Sequence, residues 1–427
     1  MNILLLGSGG REHAIALKIS ESPRCKKLFI APGNAGTSNC GENLNLNLND
    51  FKSIQEAVLK HAISLVIVGP EEPLVNGIVD FFQKENALKN ILIIGPSAEG
   101  AKLEGSKDFA KKFMKEFKIP TASYNTFNRQ EATEAKKFLT TLNPPYVIKA
   151  DGLAGGKGVI ICNTIAEANK SVDEMLQHDK FGKAAEKIVI EEFLNGIELS
   201  VFVLTDGHSY KILPEAKDYK RIGENDTGLN TGGMGAVSPV PFAGKEFMKK
   251  VEQKIIIPTI EGLIKRKIYY RGFVFIGLMN VDGEPYVIEY NVRMGDPETE
   301  VVFPRIQSDV VELLQATGTG KLSDVSLVVN PQTALTVMMV SGGYPESFEK
   351  GKEITFEKDS GDVYTFHAGT IFKEGKVYSD GGRVLAVTSF GNTIQAAREK
   401  SYAKLERIKF ENGYFRKDIG LDLIKPN

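Results

Sequence analysis

The chain has 427 residues, which at roughly 150 per domain predicts about three domains and more than one core. Its 53 Lys and Arg against 54 Asp and Glu leave a net charge of −1, which argues against nucleic-acid binding built on phosphate neutralisation. A hydrophobic content of 42% with 25% charged residues excludes disorder as the dominant state. The three cysteines, Cys25, Cys40 and Cys162, have no CxxC spacing and give neither a disulfide framework nor a zinc knuckle. Apolar runs such as Ile3–Leu6, Leu65–Val68 and Ile188–Ile190 are far shorter than the roughly 20 residues of a membrane span. The first run stops at Gly7 with no basic segment before it, so no signal peptide is expected and the compartment expected is the cytoplasm.

In chain order, the first hundred residues alternate strands with helical periodicity: strand Ile3–Leu6, helix Glu12–Ser20, strand Lys27–Ala31, a helix around Ile54–His61, strand Leu65–Gly69, helix Gly77–Lys84, strand Ile91–Gly95. Leu44-Asn-Leu-Asn-Leu-Asn alternates as a strand edge would. Strands separated by helices predict a doubly wound parallel sheet, whose ligands sit at the carboxyl ends of the strands. Those ends, Gly7–Gly10, Pro32–Gly36, Gly69–Glu72 and Gly95–Ser97, all carry Gly or Pro. A dinucleotide is disfavoured, because Glu12 stands where the third small residue of the fingerprint belongs and no acid follows the second strand. A phosphorylated small molecule at the helix start fits better.

Farther on, a helical segment spans Ala101–Pro120, and the glycine-dense stretch from Tyr146 to Val159 precedes a strand at Lys187–Glu192. Ala216–Gly235 is polar and Gly-rich, with the length of an ordered binding loop. Phe273–Asn280 and Tyr286–Asn291 read as a hairpin about Asp282-Gly283. After about residue 330, strands at Ala334–Val340, Val363–His367 and Arg383–Thr388 and a helix at Thr393–Ile408 predict a separate small α/β lobe.

The chemistry-bearing residues lie in three places. Lys149 at a strand end and the loop Gly155-Gly156-Lys157-Gly158 suit a polyphosphate, one as a point charge and the other as close-approaching backbone; the loop alone also reads as a hairpin with solvated lysines. Glu191, Leu194 and Glu198 end a strand that can offer backbone to an adenine edge and carboxylates to ribose hydroxyls, or can be a solvated strand end. Glu289 and Asn291 share one strand face, a pair of hard oxygen ligands for Mg²⁺ or Mn²⁺ beside Arg293, whose fork matches a carboxylate. Arg293 could instead form a structural ion pair with Asp296 or Glu298.

Leu103-Glu-Gly-Ser-Lys107, the Lys149–Gly158 loop, Glu191–Glu198 and Glu289-x-Asn291-x-Arg293, in that order, resemble an ATP-grasp carboxylate–amine ligase. Gly7-Ser-Gly-Gly-Arg-Glu-His13, Gly69-Pro-Glu-Glu-Pro-Leu74, Asn230-Thr-Gly-Gly-Met-Gly235, Asn291-Val-Arg-Met-Gly-Asp-Pro-Glu298 and His367-Ala-Gly-Thr370 narrow the resemblance to the phosphoribosylamine–glycine ligase family, from residue 1 to about 420. Departures are few: Lys217 and Tyr219 stand where that family usually has Gln and His, and Leu229 where it has Pro. They touch loop rigidity and make an acid–base role at 219 improbable, because a Tyr hydroxyl titrates near pH 10.

The resemblance implies a multi-domain α/β protein. Residues 1–103 would form a doubly wound domain that takes phosphoribosylamine. Residues 104–330 would form the ATP-grasp region, with 122–195 as its lid, and residues 331–427 a C-terminal α/β lobe. It further implies joining of glycine to 5-phosphoribosylamine through glycyl phosphate, with ATP and Mg²⁺ or Mn²⁺. Lys107 and Lys149 would neutralise ATP phosphates under the Gly155, Gly156, Lys157 and Gly158 lid, with Glu191, Leu194 and Glu198 around adenosine. Glu289 and Asn291 would hold metal, Arg293 would clamp the glycine carboxylate with Asp218 near its ammonium, and Lys220 would join them. Phosphoribosylamine would lie against Gly9, Gly10, Asn34, Glu71 and Asp296. His13 and His367 read more readily as packing or turn residues than as bases. The expected partners are these small molecules alone, with neither nucleic acid nor membrane, in a monomer without a further fused domain. A sister ligase that activates bicarbonate and a non-catalytic nucleotide-binding scaffold are the alternatives.

Overall fold

The structure, a computed structural model, describes residues 1–155, 158–178, 182–359 and 361–424. The chain opens with β1 Asn2–Gly7, α1 Gly10–Ser20, β2 Lys27–Pro32, β3 Glu42–Asn43, α2 Phe51–Lys60, β4 Leu65–Val68, α3 Glu71–Val75, α4 Ile78–Lys84 and β5 Leu92–Pro96. These strands are parallel in the order β3-β2-β1-β4-β5, so the direction of winding reverses between β1 and β4. Helices cover both faces, so Ile3–Leu6 and Leu65–Val68 are buried throughout and read as unbroken apolar runs rather than alternations. The Leu44–Asn49 alternation is not a strand. Its neighbour β2 ends at Pro32, which has no N–H to extend a ladder, and Leu44, Leu46 and Leu48 pack on the core as irregular chain.

The helix expected over 101–120 is two, α5 Ala98–Gly105 and α6 Lys107–Glu116. Ser106 is extended between them, and its Oγ caps α6 by accepting the Phe109 N–H at 3.2 Å. Next come β6 Tyr124–Asn128, α7 Ala132–Leu139, β7 Tyr146–Ala150, β8 Val159–Cys162, α8 Ile165–Leu176 and β9 Lys187–Glu192. They form an antiparallel sheet in the order β6-β9-β7-β8 with its own core, including Phe127, Ile148, Val172 and Ile188.

The chain continues through β10 Ile197–Thr205, β11 Tyr210–Ile212, β12 Lys217–Asp218, β13 Arg221–Gly223, β14 Thr227–Asn230, β15 Gly235–Ser238, α9 Lys245–Val251, α10 Ile257–Lys265, β16 Tyr270–Val281 and β17 Glu284–Asn291. Asp282 and Gly283 both have positive φ, the turn that matches strand twist in a two-residue hairpin. β16 is shared. Its first residues pair with β5 (Tyr270 with Pro96, Arg271 with Gly95), and the rest lies between β10 and β17. The N-terminal sheet therefore does not stop at β5 but runs on into the central one.

After α11 Thr299–Arg305 and α12 Val310–Thr319 come β18 Thr333–Val340, β19 Glu353–Thr355, β20 Val363–His367, β21 Thr370–Lys373, β22 Lys376–Ser379, β23 Arg383–Gly391, α13 Ile394–Leu405, β24 Lys409–Phe410 and α14 Leu421–Ile424. One sheet runs β12-β15-β18-β23-β20 and a second β21-β22-β19-β24. The sheet of the C-terminal lobe also takes in β12 from the polar 216–235 segment and β15 at its end, with the β13–β14 hairpin between them.

Candidate active site

At the β1/β4 switch point the turn after β1 is filled from within. The Glu12 carboxylate accepts the Gly9 N–H and binds the Arg11 Nε, each at 2.6 Å, and is buried. A Cβ on Gly7 or Gly69 would collide with this carboxylate, so both positions need glycine. A pyrophosphate laid along this turn would meet a negative charge, the physical reason a dinucleotide does not belong here. Asn34 is also committed: its Nδ2 donates to the Ser8 and His367 carbonyls, and its Oδ1 accepts from Gly36 and Thr37. Gly9, Asn34 and Asp296 nevertheless line a cleft of about 480 Å³ between the N- and C-terminal lobes, with Ser8, Thr370 and Arg383. Gly10 and Glu71 are not among its lining residues. Gly10 starts α1 with Glu300 packed where a Cβ would stand.

On the opposite side of β17, Glu191 bridges two lysines, Lys149 at 3.0 Å and Lys111 at 3.2 Å, all three buried. Its other oxygen, Oε1, is buried without a partner and can accept a hydrogen bond from a ligand. Burial lowers Lys111 to about 8 against the pull of Glu191. β17 carries a bulge at Ile288, where the register against β16 slips between Gly277 and Leu278, and the Ile288 carbonyl accepts from Lys149 Nζ at 3.2 Å. Lys107, at the start of α6, lies in the field of Glu289, Asp151 and Glu104. Burial, with Lys149 nearby, still lowers its pKa. Leu194 is half-buried in the β9–β10 connection. Gly155 turns in the left-handed region and Gly158 sits against Ala154 and Ala150 in the β7–β8 turn, while Gly156 and Lys157 lie outside the described residues.

Glu198 Oε2 accepts from Lys220 Nζ at 2.6 Å. Partial burial opposes the Lys220 charge, but Glu198, Asp218 and Glu289 outweigh it and hold its pKa well above the ordinary value. In return Lys220, Lys149 and Lys107 keep Glu289 ionised against its own desolvation. Asn291 stands two residues on along β17, its Oδ1 3.3 Å from Arg293 Nη2. Among the described residues no three His, Cys, Asp or Glu side chains converge as a metal cage. An ionised carboxylate with one amide oxygen therefore fits a hard cation that takes its remaining ligands from phosphate and water.

Arg293 does not pair with Asp296 or Glu298. Its Nη2 binds Glu104 at 2.8 Å and its Nε faces Glu71 at 3.3 Å, which draws Glu71 away from the N-terminal cleft toward β17. Glu104 also accepts the Val292 N–H at 2.8 Å. Asp296 pairs with Arg383 at 2.9 Å, and its Oδ2 accepts the Arg11 N–H at 3.3 Å. Burial raises Asp218, and burial with the Asp218 charge raises Glu298 to about 7. Sequence reasoning missed Lys111, Glu104, Arg11 and Arg383. Glu104 and Arg11 lie inside the motif stretches but were given no role, Lys111 stands four residues after Lys107 on the same helical face, and Arg383 carried no signal.

The Lys111–Glu191–Lys149 cluster on the β6–β9 sheet, beside an acidic β17 end, fits an ATP-grasp enzyme, a class that uses ATP and a divalent cation, and an ATP-grasp domain model matches this region. The backbone is similar to biotin carboxylase from Campylobacter jejuni, with a TM-score of 0.71 at 16% identity over 100% of this chain and 95% of that one. The chain belongs to the phosphoribosylglycinamide synthetase family, whose N domain matches residues 1–104, ATP-grasp (A) domain residues 105–299 and C domain residues 334–422. It is 44% identical to the phosphoribosylamine–glycine ligase of Chlorobaculum tepidum, covering 98% of this chain and 99% of that protein. It is also 44% identical to a bifunctional purine biosynthetic protein of Pichia angusta, covering 98% of this chain but only 53% of that longer protein. The crystal structure of the Thermotoga maritima phosphoribosylamine–glycine ligase superposes with a TM-score of 0.86 at 36% identity, covering 98% of this chain and 100% of that one.

Proposed function

We propose that this chain joins glycine to 5-phosphoribosylamine with cleavage of ATP to ADP and phosphate, a step of purine biosynthesis. The observation that carries this reading is the placement of Glu289, Asn291 and Arg293 at one end of β17, between the Lys107–Lys149–Glu191 cluster and the cleft beside Gly9 and Asp296. A carboxylate does not acylate an amine directly, because oxide is too poor a leaving group. Transfer of the γ-phosphoryl group to a glycine oxygen gives glycyl phosphate and ADP. The ribosylamine nitrogen then attacks the carbonyl carbon, phosphate departs with the C–O electrons, and the nitrogen gives up a proton.

The protein contributes position and charge. Lys107 and Lys149 face the phosphates, Glu191, Leu194 and Glu198 surround the adenosine, and Lys220 links Glu198 to Glu289. Glu289 and Asn291 would hold Mg²⁺ or Mn²⁺, which would supply positive charge to offset that of the phosphates. The Arg293 edge beside Glu71 and Glu104 orients the glycine carboxylate, with Asp218 near its ammonium. Glu298, raised to about 7 by burial and the Asp218 charge, suits removal of the amine proton. Gly9, Asn34 and Asp296 form the phosphoribosylamine side, with Gly10 behind them at the start of α1 and Glu71 acting through Arg293. We place the enzyme in the cytoplasm as a monomer, with Gly155 and Gly158 in the turn that faces the phosphates.

The test is ADP release in the presence of divalent metal, with each substrate omitted in turn and 5-phosphoribosylamine generated freshly. ADP that requires both glycine and the ribosylamine supports the reading. ADP that requires bicarbonate and ignores glycine moves the chemistry to a sister ligase, and none under any condition leaves a nucleotide-binding scaffold.

A further inference from the structure

The side chains of residues 217–220, which begin with the two-residue strand β12, divide between two sides by their contacts. Asp218 and Lys220 face Glu198, Glu289 and Glu298. Lys217 and Tyr219 face the C-terminal segment. The Tyr219 hydroxyl donates to Asp422 Oδ1 at 2.6 Å and accepts the Gly420 N–H at 3.0 Å. Lys217 Nζ binds Asp422 Oδ2 at 3.0 Å and lies 3.8 Å from the centre of the Tyr219 ring. Tyr219 is buried, and its backbone is tied to Gly235 and Met234. A second tie stands beside it: buried Arg416 grips Asp418 and Asp226, and Asp418 accepts the Asn225 N–H at 2.7 Å.

We infer that Asp422, Tyr219 and Lys217 form a latch by which the C-terminal segment positions Asp218 and Lys220 for glycine. Lys217 and Tyr219 are two of the three places where the sequence departs from its family's usual wording, and they meet on one carboxylate. Neither touches the reacting groups; both are positioning residues. A short strand of two residues, β12, has too little ladder of its own to hold a charged pair in register, and the latch supplies what the ladder lacks. The inference rests on the proposed role of Asp218 toward glycine.

The test compares Tyr219→Phe, Asp422→Asn and Asp422→Ala with the parent. Tyr219→Phe and Asp422→Ala are each expected to lower kcat/KM for glycine about tenfold, with the KM for 5-phosphoribosylamine and the melting temperature little changed. Asp422→Asn keeps an acceptor for Tyr219 but loses the charge facing Lys217, and falls between. Combining Tyr219→Phe with Asp422→Ala adds little to either alone, because both open the same latch. Amide hydrogen exchange over 216–221 rises in each variant, whether or not turnover is measured. Unchanged exchange overturns the latch. So does an equal loss toward all substrates with a falling melting temperature, which marks a purely structural contact. A parent that shows no glycine-dependent ADP release overturns the function instead, and exchange still decides whether the latch holds the strand.

Discussion

His367 donates its backbone N–H to Nδ1 of His13 at 2.8 Å, joining the first helix to the C-terminal lobe. The accepting Nδ1 carries no proton, and burial lowers His13 to about 3 and His367 to about 4. Both folded values lie below the ordinary 6.5, so the stability they contribute is complete above pH 6.5 and is lost as pH falls through about 4 and then 3. Melting temperature is expected to fall from pH 6.5 toward 4. His13→Ala, which orphans a buried N–H and leaves a void, is expected to cost about 2–4 kcal/mol in urea unfolding. A variant as stable as the parent would remove this contact from the account.

Glu298 gives a dependence of the opposite sign. Its pKa, raised from 4.5 to about 7, means the fold favours the protonated form: that stability is present below pH 4.5 and is lost as pH rises through 7. Catalysis by the carboxylate needs the reverse, so kcat should rise through pH 7. In Glu298→Gln that limb is expected to vanish and kcat to drop by about 10²-fold. A limb that persists in the variant belongs to another group.

Arg293 serves Glu71 and Glu104 as well as the proposed glycine carboxylate. Arg293→Lys keeps the charge but loses the fork, and its glycine KM should rise far more than its ATP KM. Arg293→Ala leaves the buried Glu104 unpaired at a cost of about 3–5 kcal/mol, read as a lower denaturation midpoint. Equal changes in both KM values would reassign the guanidinium to the nucleotide or to structure alone.

At Gly69 an added methyl would stand 2.7 Å from the Leu6 carbonyl and against the Glu12 carboxylate. Gly69→Ala should therefore push Glu12 off the Gly9 N–H, raising the KM for 5-phosphoribosylamine while leaving that for ATP. The destabilisation expected is about 1–3 kcal/mol. Kinetics with each substrate varied in turn check the split.

Strand β9 and the Asp282-Gly283 hairpin were legible because their signals are local: an apolar run with carboxylates at its end, and a dipeptide that tolerates positive φ. The pairing of β5 with β16, and of β12 and β15 with β18, was not, since periodicity tells which face is buried and never names the partner strand. The site divides the same way. Glu289, Asn291 and Arg293 lie within one short stretch and were read together. Apart from its spacing of four from Lys107, nothing in Lys107–Glu116 sets Lys111 off from the other lysines until Glu191 is folded against it. Arg383 opens a strand far from Asp296, and nothing near it in sequence points to that carboxylate.

The sharing of β16 sets where the molecule can be divided. A fragment ended near residue 104 would expose β5 as an open edge, with the Gly95 and Pro96 backbone stripped of Arg271 and Tyr270. Such an edge invites pairing between copies. Separate expression of the first hundred residues should give aggregates, whereas the β6–β9 unit, with its own sheet and core, is the piece to excise, graft or label on its own.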